Sequence, residues 1–488
     1  MDQSIIRISK VCCPASACTS SHPLLGSRFE INIQYQDTNF YGKELGDIQK
    51  NCDLSIAVAC RDVDVRNVKA LVMGPHETPY EFGFFEVRNP VPMADLSLIF
   101  MTDYPSKSPA VVCVTTNGGR CRFNPNVYSN GKVCLSILGT WRGERGEEWS
   151  SAQGLESILL SIQSLLSSNP YENEPGFEDA NEESDKKNQK DYVQKIRHET
   201  LRISVIQRLE GYLGLSSSGS QQHSTVGPEL EDEDIDEATV PFEPFKDLCK
   251  RRFLWYFESY LAAVEKGKQE TKPNLPFARM PFESPGNNSM DGKFNYPELE
   301  RRLHAIKAAI DVEPLRWAEE GLDAKKRETT VAVNLQHQFE QVVEAFKRSD
   351  MPHDVFLDNE NPFVWVVTYF GRPMTNLDGG LFRIKMNFSV RFPEEQPRVK
   401  FETKIFHHHI AADGTACYTP NPTKREDVRS HIEAIFSILE DDEPAYDPRK
   451  IVNPEATKMY WGGSADDKKK YNRRLRRSVQ QSMEDFPE

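Results

Sequence analysis

Apolar positions along this chain come in two rhythms. Short apolar runs of strand length occupy residues 54–61, 67–73, 82–88, 96–101 and 110–116, and Gly74-Pro75, Thr78-Pro79, Tyr104-Pro105 and Pro109 punctuate them. Successive strands with short turns predict an antiparallel meander. Residues 151–168 instead carry apolar side chains at 155, 158, 159, 162, 165 and 166. That spacing predicts a helix with one buried face. Residues 41–52 are a weaker helical candidate, and helices are predicted over 190–213, 296–310 and 330–347. An aromatic-rich helix is predicted over 245–265, and its stripe of Phe253, Trp255, Tyr256, Phe257 and Tyr260 reads as core. Residues 1–37 read as a poorly ordered arm, 216–240 as a disordered polar and acidic segment, and 267–292 as loop.

The pattern then repeats. Thr78, Gly83 and Phe85 recur at the same spacing as Thr375, Gly380 and Phe382, each set after a strand ending in glycine (Gly74, Gly371). Each set leads to a proline-bounded turn and then to a cysteine three residues after a glycine, Gly131…Cys134 and Gly414…Cys417. Two copies at this separation indicate duplicated α+β domains rather than a solenoid.

Composition narrows the class. The chain has 488 residues and a net charge of -14, which argues against nucleic acid as a partner. No apolar run approaches the roughly 20 residues that span a bilayer, and the first residues lack a signal-peptide layout, so no membrane partner is expected. The ten cysteines include no Cys-x-x-Cys pair. A zinc ribbon or disulfide framework is therefore not expected, and a reducing cytoplasmic setting, with the nucleus as a second option, is.

The chemistry concentrates at residues 123–135, Phe-Asn-Pro-Asn-Val-Tyr-Ser-Asn-Gly-Lys-Val-Cys-Leu. A side-chain amide on the Asn124-Pro125-Asn126 turn precedes the thiol of Cys134 on one looped segment. A thiol can act as a nucleophile and an amide can donate to an oxyanion, a pairing that suits acyl transfer.

These residues resemble the ubiquitin-conjugating (E2, UBC) family. In the first half the resemblance rests on Gly74-Pro75-x-x-Thr78-Pro79-Tyr80-Glu81, Arg122-Phe123-Asn124-Pro125-Asn126, the run Gly131–Trp141, Asn169-Pro170-Tyr171-Glu172-Asn173-Glu174-Pro175 and Arg197-His198-Glu199-Thr200. It covers about 42–310 and is similar to the extended Z-type group. The second half, about 328–488, is similar to the Cdc34/G type through Asn361-Pro362-Phe363-Val364-Trp365, Phe392-Pro393 and Val452-Asn453-Pro454-Glu455-Ala456. The implied fold is α+β: two UBC-like domains, each a four-stranded antiparallel meander with flanking helices, joined by a helical extension and an acidic loop. The implied division is an arm at 1–37, a catalytic domain at 38–213, the loop and extension at 214–325, and a divergent domain at 326–488.

The resemblance implies that Cys134 accepts ubiquitin or a ubiquitin-like modifier from an E1 as a thioester, then passes it to a substrate lysine or an E3. Asn126 is the implied oxyanion donor or loop clamp. Glu174 is the positional match for lysine activation, with Glu172 and Asn173 as rivals. Lys43 and Lys50 are the basic residues open to E1 docking. Trp149, Ser151 and Ala152 stand where the family contacts E3s, with Ser151 replacing a proline. Asn124 stands where most of the family has histidine. No cofactor and no metal are implied.

In the second half, Cys417 occupies the cysteine position and His409 the place of Asn126, within His407-His408-His409. Three readings stand: a working nucleophile, a degenerate domain that scaffolds or binds ubiquitin, and a metal site for which no partner ligand is spaced. The basic run 468–477 fits a solvated helix face, a nuclear signal or a docking contact. Two rival functions remain: a non-catalytic tandem ubiquitin-binding module, and a cysteine peptidase, for which no partner-histidine motif is present.

Overall fold

The computed structural model describes residues 42–49, 54–61, 64–88, 104–143, 146–215, 242–283, 290–348, 353–441 and 443–484. The arm, the acidic segment, the strand expected at 96–101 and Lys50 lie outside the described residues.

The first unit opens with helix α1 (42–49) and a sheet of β1 (Ile56–Arg61), β2 (Asp64–Met73), β3 (Phe84–Arg88) and β4 (Val112–Cys113), in the order β1-β2-β3-β4. All pairings are antiparallel, with Val58 opposite Ala70, Val72 opposite Phe85 and Val87 opposite Cys113. β1 reads Ile-Ala-Val-Ala-Cys-Arg and is buried on both faces. Ile56, Val58 and Cys60 pack with Leu45 of α1 and with Leu155, Ile158, Leu159 and Ile162 of helix α2 (Leu155–Ser164). Ala57 and Ala59 face the other way, into a second core. A continuous apolar run of this kind marks a strand covered on both sides.

α2 is shorter than the predicted 151–168. It starts after Gly154, whose φ of -134° is extended, and the chain downstream runs to Asn169-Pro170, where proline disfavours helical backbone at the preceding residue. α3 (Glu183–Glu199) begins seven residues before the expected 190, because its first turns are all polar and carry no periodicity to read. It runs through a π-helical stretch, Thr200–Gln207, into α4 (Arg208–Leu213). That stretch lies against Gly83, where a Cβ would sit 2.6 Å from Thr200 Cγ2.

Helices α5 (Lys246–Glu270) and α6 (Tyr296–Lys326) form the second core on the outer face of this sheet. α6 was expected to stop at 310, yet it continues through Pro314. Its buried stripe, Leu303, Ile306, Ile310, Glu313, Trp317, Gly321 and Ala324, holds helical spacing past the proline, and packing of that stripe outweighs the lost backbone bond.

The second unit repeats the first: α7 (Thr330–Arg348), β5 (Asp354–Leu357), β6 (Val364–Phe370), β7 (Leu381–Asn387), β8 (Arg398–Phe401), α8 (Val428–Glu440), α9 (Pro454–Trp461) and α10 (Ala465–Glu484), with sheet order β5-β6-β7-β8. The fold class is thus α+β with two four-stranded antiparallel sheets.

α5 joins the units. The Tyr260 hydroxyl donates to Phe82 O at 2.8 Å, and the Tyr256 ring stacks on Phe82 at 3.9 Å while its hydroxyl donates to Arg449 O at 2.7 Å. Beside them lies a buried charge network: Arg398 contacts Asp247 at 2.7 Å and Glu313 at 3.1 Å, and Lys250 also pairs with Glu313. No described helix is long and apolar enough to cross a membrane.

Candidate active site

The loop that carries Cys134 is built by short-range rules. Gly131 has φ +91°, and a Cβ there would lie 2.6 Å from Cys113 O. Only glycine lets the turn approach β4 this closely, where Cys113 N donates to Gly131 O at 2.8 Å. Val127 bridges Val133, and Cys134 N donates to Asn126 O at 2.8 Å. After the cysteine, the Thr140 hydroxyl donates to Val133 O at 2.6 Å and accepts from Leu135 N at 3.0 Å.

The two asparagines of the turn do different work. Asn124 is fully buried and saturated. Its Nδ2 donates to Leu165 O at 2.8 Å and to the Tyr80 hydroxyl at 3.2 Å. Its Oδ1 accepts from Asn126 N at 2.8 Å and from Asn173 Nδ2 at 3.3 Å. One side chain therefore ties the turn to the end of α2 and to the 170–174 segment. Asn126 is partly exposed, and its Nδ2 donates to the Cys134 carbonyl at 3.1 Å. That bond clamps the loop, and the amide also has a second hydrogen, enough to donate to an oxyanion as well.

Around the thiol sit groups that motif reading did not single out. The Tyr128 hydroxyl is hydrogen-bonded to Cys134, and burial together with that thiol holds the phenol above its usual range. The Arg122 guanidinium lies 4.7 Å from the Tyr128 ring centre, and Lys132 lies 5.8 Å from it. Arg122 Nη2 donates to Pro125 O at 2.5 Å and to Glu174 Oε2 at 2.9 Å. Partial burial raises the Glu174 carboxyl, and the Arg122 charge and hydrogen bond oppose that rise. So Asn126 meets Cys134 directly, whereas Glu174 is joined to the site through Arg122. Glu172 is exposed, and Asn173 is spent on Asn124 and Leu165 O. No local pattern pointed to Tyr128, because it follows a tight turn in which Val127 N donates to Asn124 O at 2.9 Å.

The expected docking residues lie apart. Lys43 is exposed on α1. The Trp149 indole donates to Pro105 O at 2.8 Å, and Ser151 and Ala152 are exposed beside it.

The second cysteine has the same backbone setting in a different environment. Gly414 has φ +86° against Phe401 O, Ile410 bridges Ala416, and Cys417 N donates to His409 O at 2.9 Å. Cys417, however, belongs to the core that α5 builds, and the Trp255 indole donates to the adjacent Ala416 O at 3.1 Å. Burial pushes this thiol up to about 12 and holds the His409 imidazole down at about 4. His408 Nδ1 is in hydrogen-bond contact with the Tyr471 hydroxyl at 2.9 Å, and His407 Nδ1 accepts from His409 N at 3.1 Å.

The ubiquitin-conjugating enzyme family model matches residues 41–200 and 334–479, one stretch for each unit and together more than half of the chain. The chain belongs to the ubiquitin-conjugating enzyme family. Among its curated relatives it is similar to ubiquitin-conjugating enzyme E2 Z of Homo sapiens, 37% identical over 248 residues, which is 51% of this chain and 56% of that protein. It is also similar to E2 Z of Danio rerio, 49% identical over 247 residues, 51% of this chain and 60% of that protein. The probable ubiquitin-conjugating enzyme protein 17 of Caenorhabditis elegans is 38% identical over 180 residues, 36% of this chain and 23% of that protein. The chain thus spans little more than half the length of these two E2 Z proteins. As a ubiquitin-conjugating family member it carries two copies of the domain, with different surroundings for the two cysteines.

Proposed function

We propose that this chain is an E2 that carries ubiquitin, or a ubiquitin-like modifier, on Cys134. The observation that supports it best is the loop geometry: a thiol 4% exposed, clamped by Asn126 and contacted by the Tyr128 hydroxyl. In the charging step, the Cys134 thiolate attacks the carbonyl of the E1 thioester. A new S–C bond forms, the old one breaks, and the E1 thiolate leaves. In discharge, an amine attacks the Cys134 thioester, a C–N bond forms, and the Cys134 thiolate leaves. The attacking nitrogen gives up a proton, and Glu174 is the nearby carboxylate able to accept it. The Asn126 amide serves the tetrahedral oxyanion or holds the loop, and loss of such a donor typically costs about 10²–10³ in rate. E1, E3 and lysine-bearing proteins are the partners of this cycle.

The second unit acts as a scaffold in this reading, because α5 covers Cys417. A thiol held near 12 is almost wholly protonated at neutral pH and a poor nucleophile.

The test is E1-dependent charging of the full chain with a panel of E1–modifier pairs, run under non-reducing conditions. Wild type and Cys417→Ser should form an adduct that reductant removes, and Cys134→Ser should not. Absence of any adduct in wild type, or an adduct that needs Cys417 and ignores Cys134, refutes the proposal.

A further inference from the structure

The Arg122 side chain is 8% exposed and contacts three groups on two pieces of chain. It donates to the carbonyl of Pro125 in the turn, lies over the Tyr128 ring beside the thiol, and pairs with Glu174 from the segment after α2. A guanidinium is a planar fork that can hold all three at once, whereas an ammonium is a point charge that cannot. Its Nε has no partner among the described residues.

We propose that Arg122 is a positioning residue for transfer to lysine, fixing the Glu174 carboxylate relative to Cys134 and keeping it in the proton-accepting form. The proposal rests on the reading of Cys134 as the thioester carrier. Attack by the amine forms C–N, breaks C–S and leaves a proton for a carboxylate to take, which requires Glu174 ionised and aimed. Transfer to a thiol needs no such carboxylate, so the two acceptors separate the role from mere folding.

The sign of the pH effect follows from the surroundings of Glu174. The groups facing it are Arg122 and Tyr128, with Cys134 and Lys132 beyond Tyr128, while Glu172 on its own turn is exposed. Arg122 opposes the upward push of burial on Glu174. Without it the carboxyl rises further, and the acidic limb of lysine transfer moves to higher pH.

The experiment forms the Cys134–ubiquitin adduct of the full chain, quenches the E1, and follows discharge onto free lysine and free cysteine from pH 6 to 9. For Arg122→Gln, lysine transfer should fall on the order of tenfold at pH 7, cysteine transfer less than about threefold, and the lysine midpoint should shift alkaline. Arg122→Lys should recover part of the rate and keep the midpoint near that of wild type. In a Glu174→Gln background, Arg122→Gln should cost less than about twofold more. Should Arg122→Gln not fold, Arg122→Lys and Glu174→Gln still test the lysine-selective loss. Equal losses with both acceptors and an unmoved midpoint, or a full Arg122 effect without Glu174, overturn the proposal. A wild-type chain that never charges overturns the underlying reading, and this inference with it.

Discussion

Asn124→Asp is the sharpest perturbation of the candidate site. It preserves shape and the acceptor for Asn126 N, but replaces a donor. Asn124 Nδ2 now faces Leu165 O at 2.8 Å and the Tyr80 hydroxyl at 3.2 Å. The Tyr80 hydroxyl already donates to Phe123 O at 2.7 Å, so it cannot turn to serve the new oxygen. The position is 0% exposed, and an ionised carboxylate opposite a carbonyl has no compensation there. Only the protonated acid can donate to Leu165 O. The folded-state pKa of the introduced group therefore rises above its unfolded value of about 3.9, by about 3 units at the low end for full burial. Between those two values the folded state binds more protons than the unfolded one. Stability then falls as pH rises, by about 1.4 kcal/mol per pH unit, reaching a loss of about 4 kcal/mol near pH 7. Pulsed thiol labelling, read by mass spectrometry at Cys113 and Cys121, reports opening of this unit alone, since both are buried in it. Relative to wild type at the same pH, labelling should be about tenfold faster at pH 5 and about a thousandfold faster at pH 7. A ratio that does not change with pH would refute the assignment of Asn124 Nδ2 as an obligatory donor.

Three further outcomes follow from the same geometry. Gly131→Ala should destabilise the first unit by about 2–3 kcal/mol and slow charging, because a left-handed φ is combined with a 2.6 Å contact to Cys113 O; Gly139→Ala, with φ +64° and open space, should cost only about 1 kcal/mol in the same denaturant titration. Trp255→Ala should raise alkylation of Cys417 by at least about tenfold at pH 8, and unchanged labelling would show that α5 does not cover that thiol. Burial raises the Asp247 carboxyl, yet Arg398 and Arg251 outweigh it and hold the carboxyl down at about 2, below the unfolded value of about 3.9. Its contribution is present above pH 4 and is lost as pH falls toward 2. Arg398→Ala should weaken the junction between the units by about 3 kcal/mol at neutral pH and flatten this acid dependence in hydrogen exchange across β8, while an unaltered acid profile would remove Asp247 from the account.

The duplicated α+β fold was legible from the chain because it rests on local rules. Strand-length apolar runs and helical periodicity gave the meanders and their covering helices, and Gly131 and Gly414 marked turns that only glycine can make. The Asn-Pro-Asn turn and Cys134 stand within eleven residues, so their shared loop was also readable. Periodicity failed where packing overrode it, as in the all-polar start of α3 and the passage of α6 through Pro314. Tertiary structure alone decided which groups surround each thiol. Arg122 meets Glu174 across 52 positions, and Trp255 meets Ala416 across 161. No local pattern encodes such pairings, because they arise when separately specified elements pack and bring side chains into reach. Two cysteines with the same backbone setting, both buried, thereby have different neighbours: one is contacted by the Tyr128 hydroxyl, the other is covered by an aromatic helix.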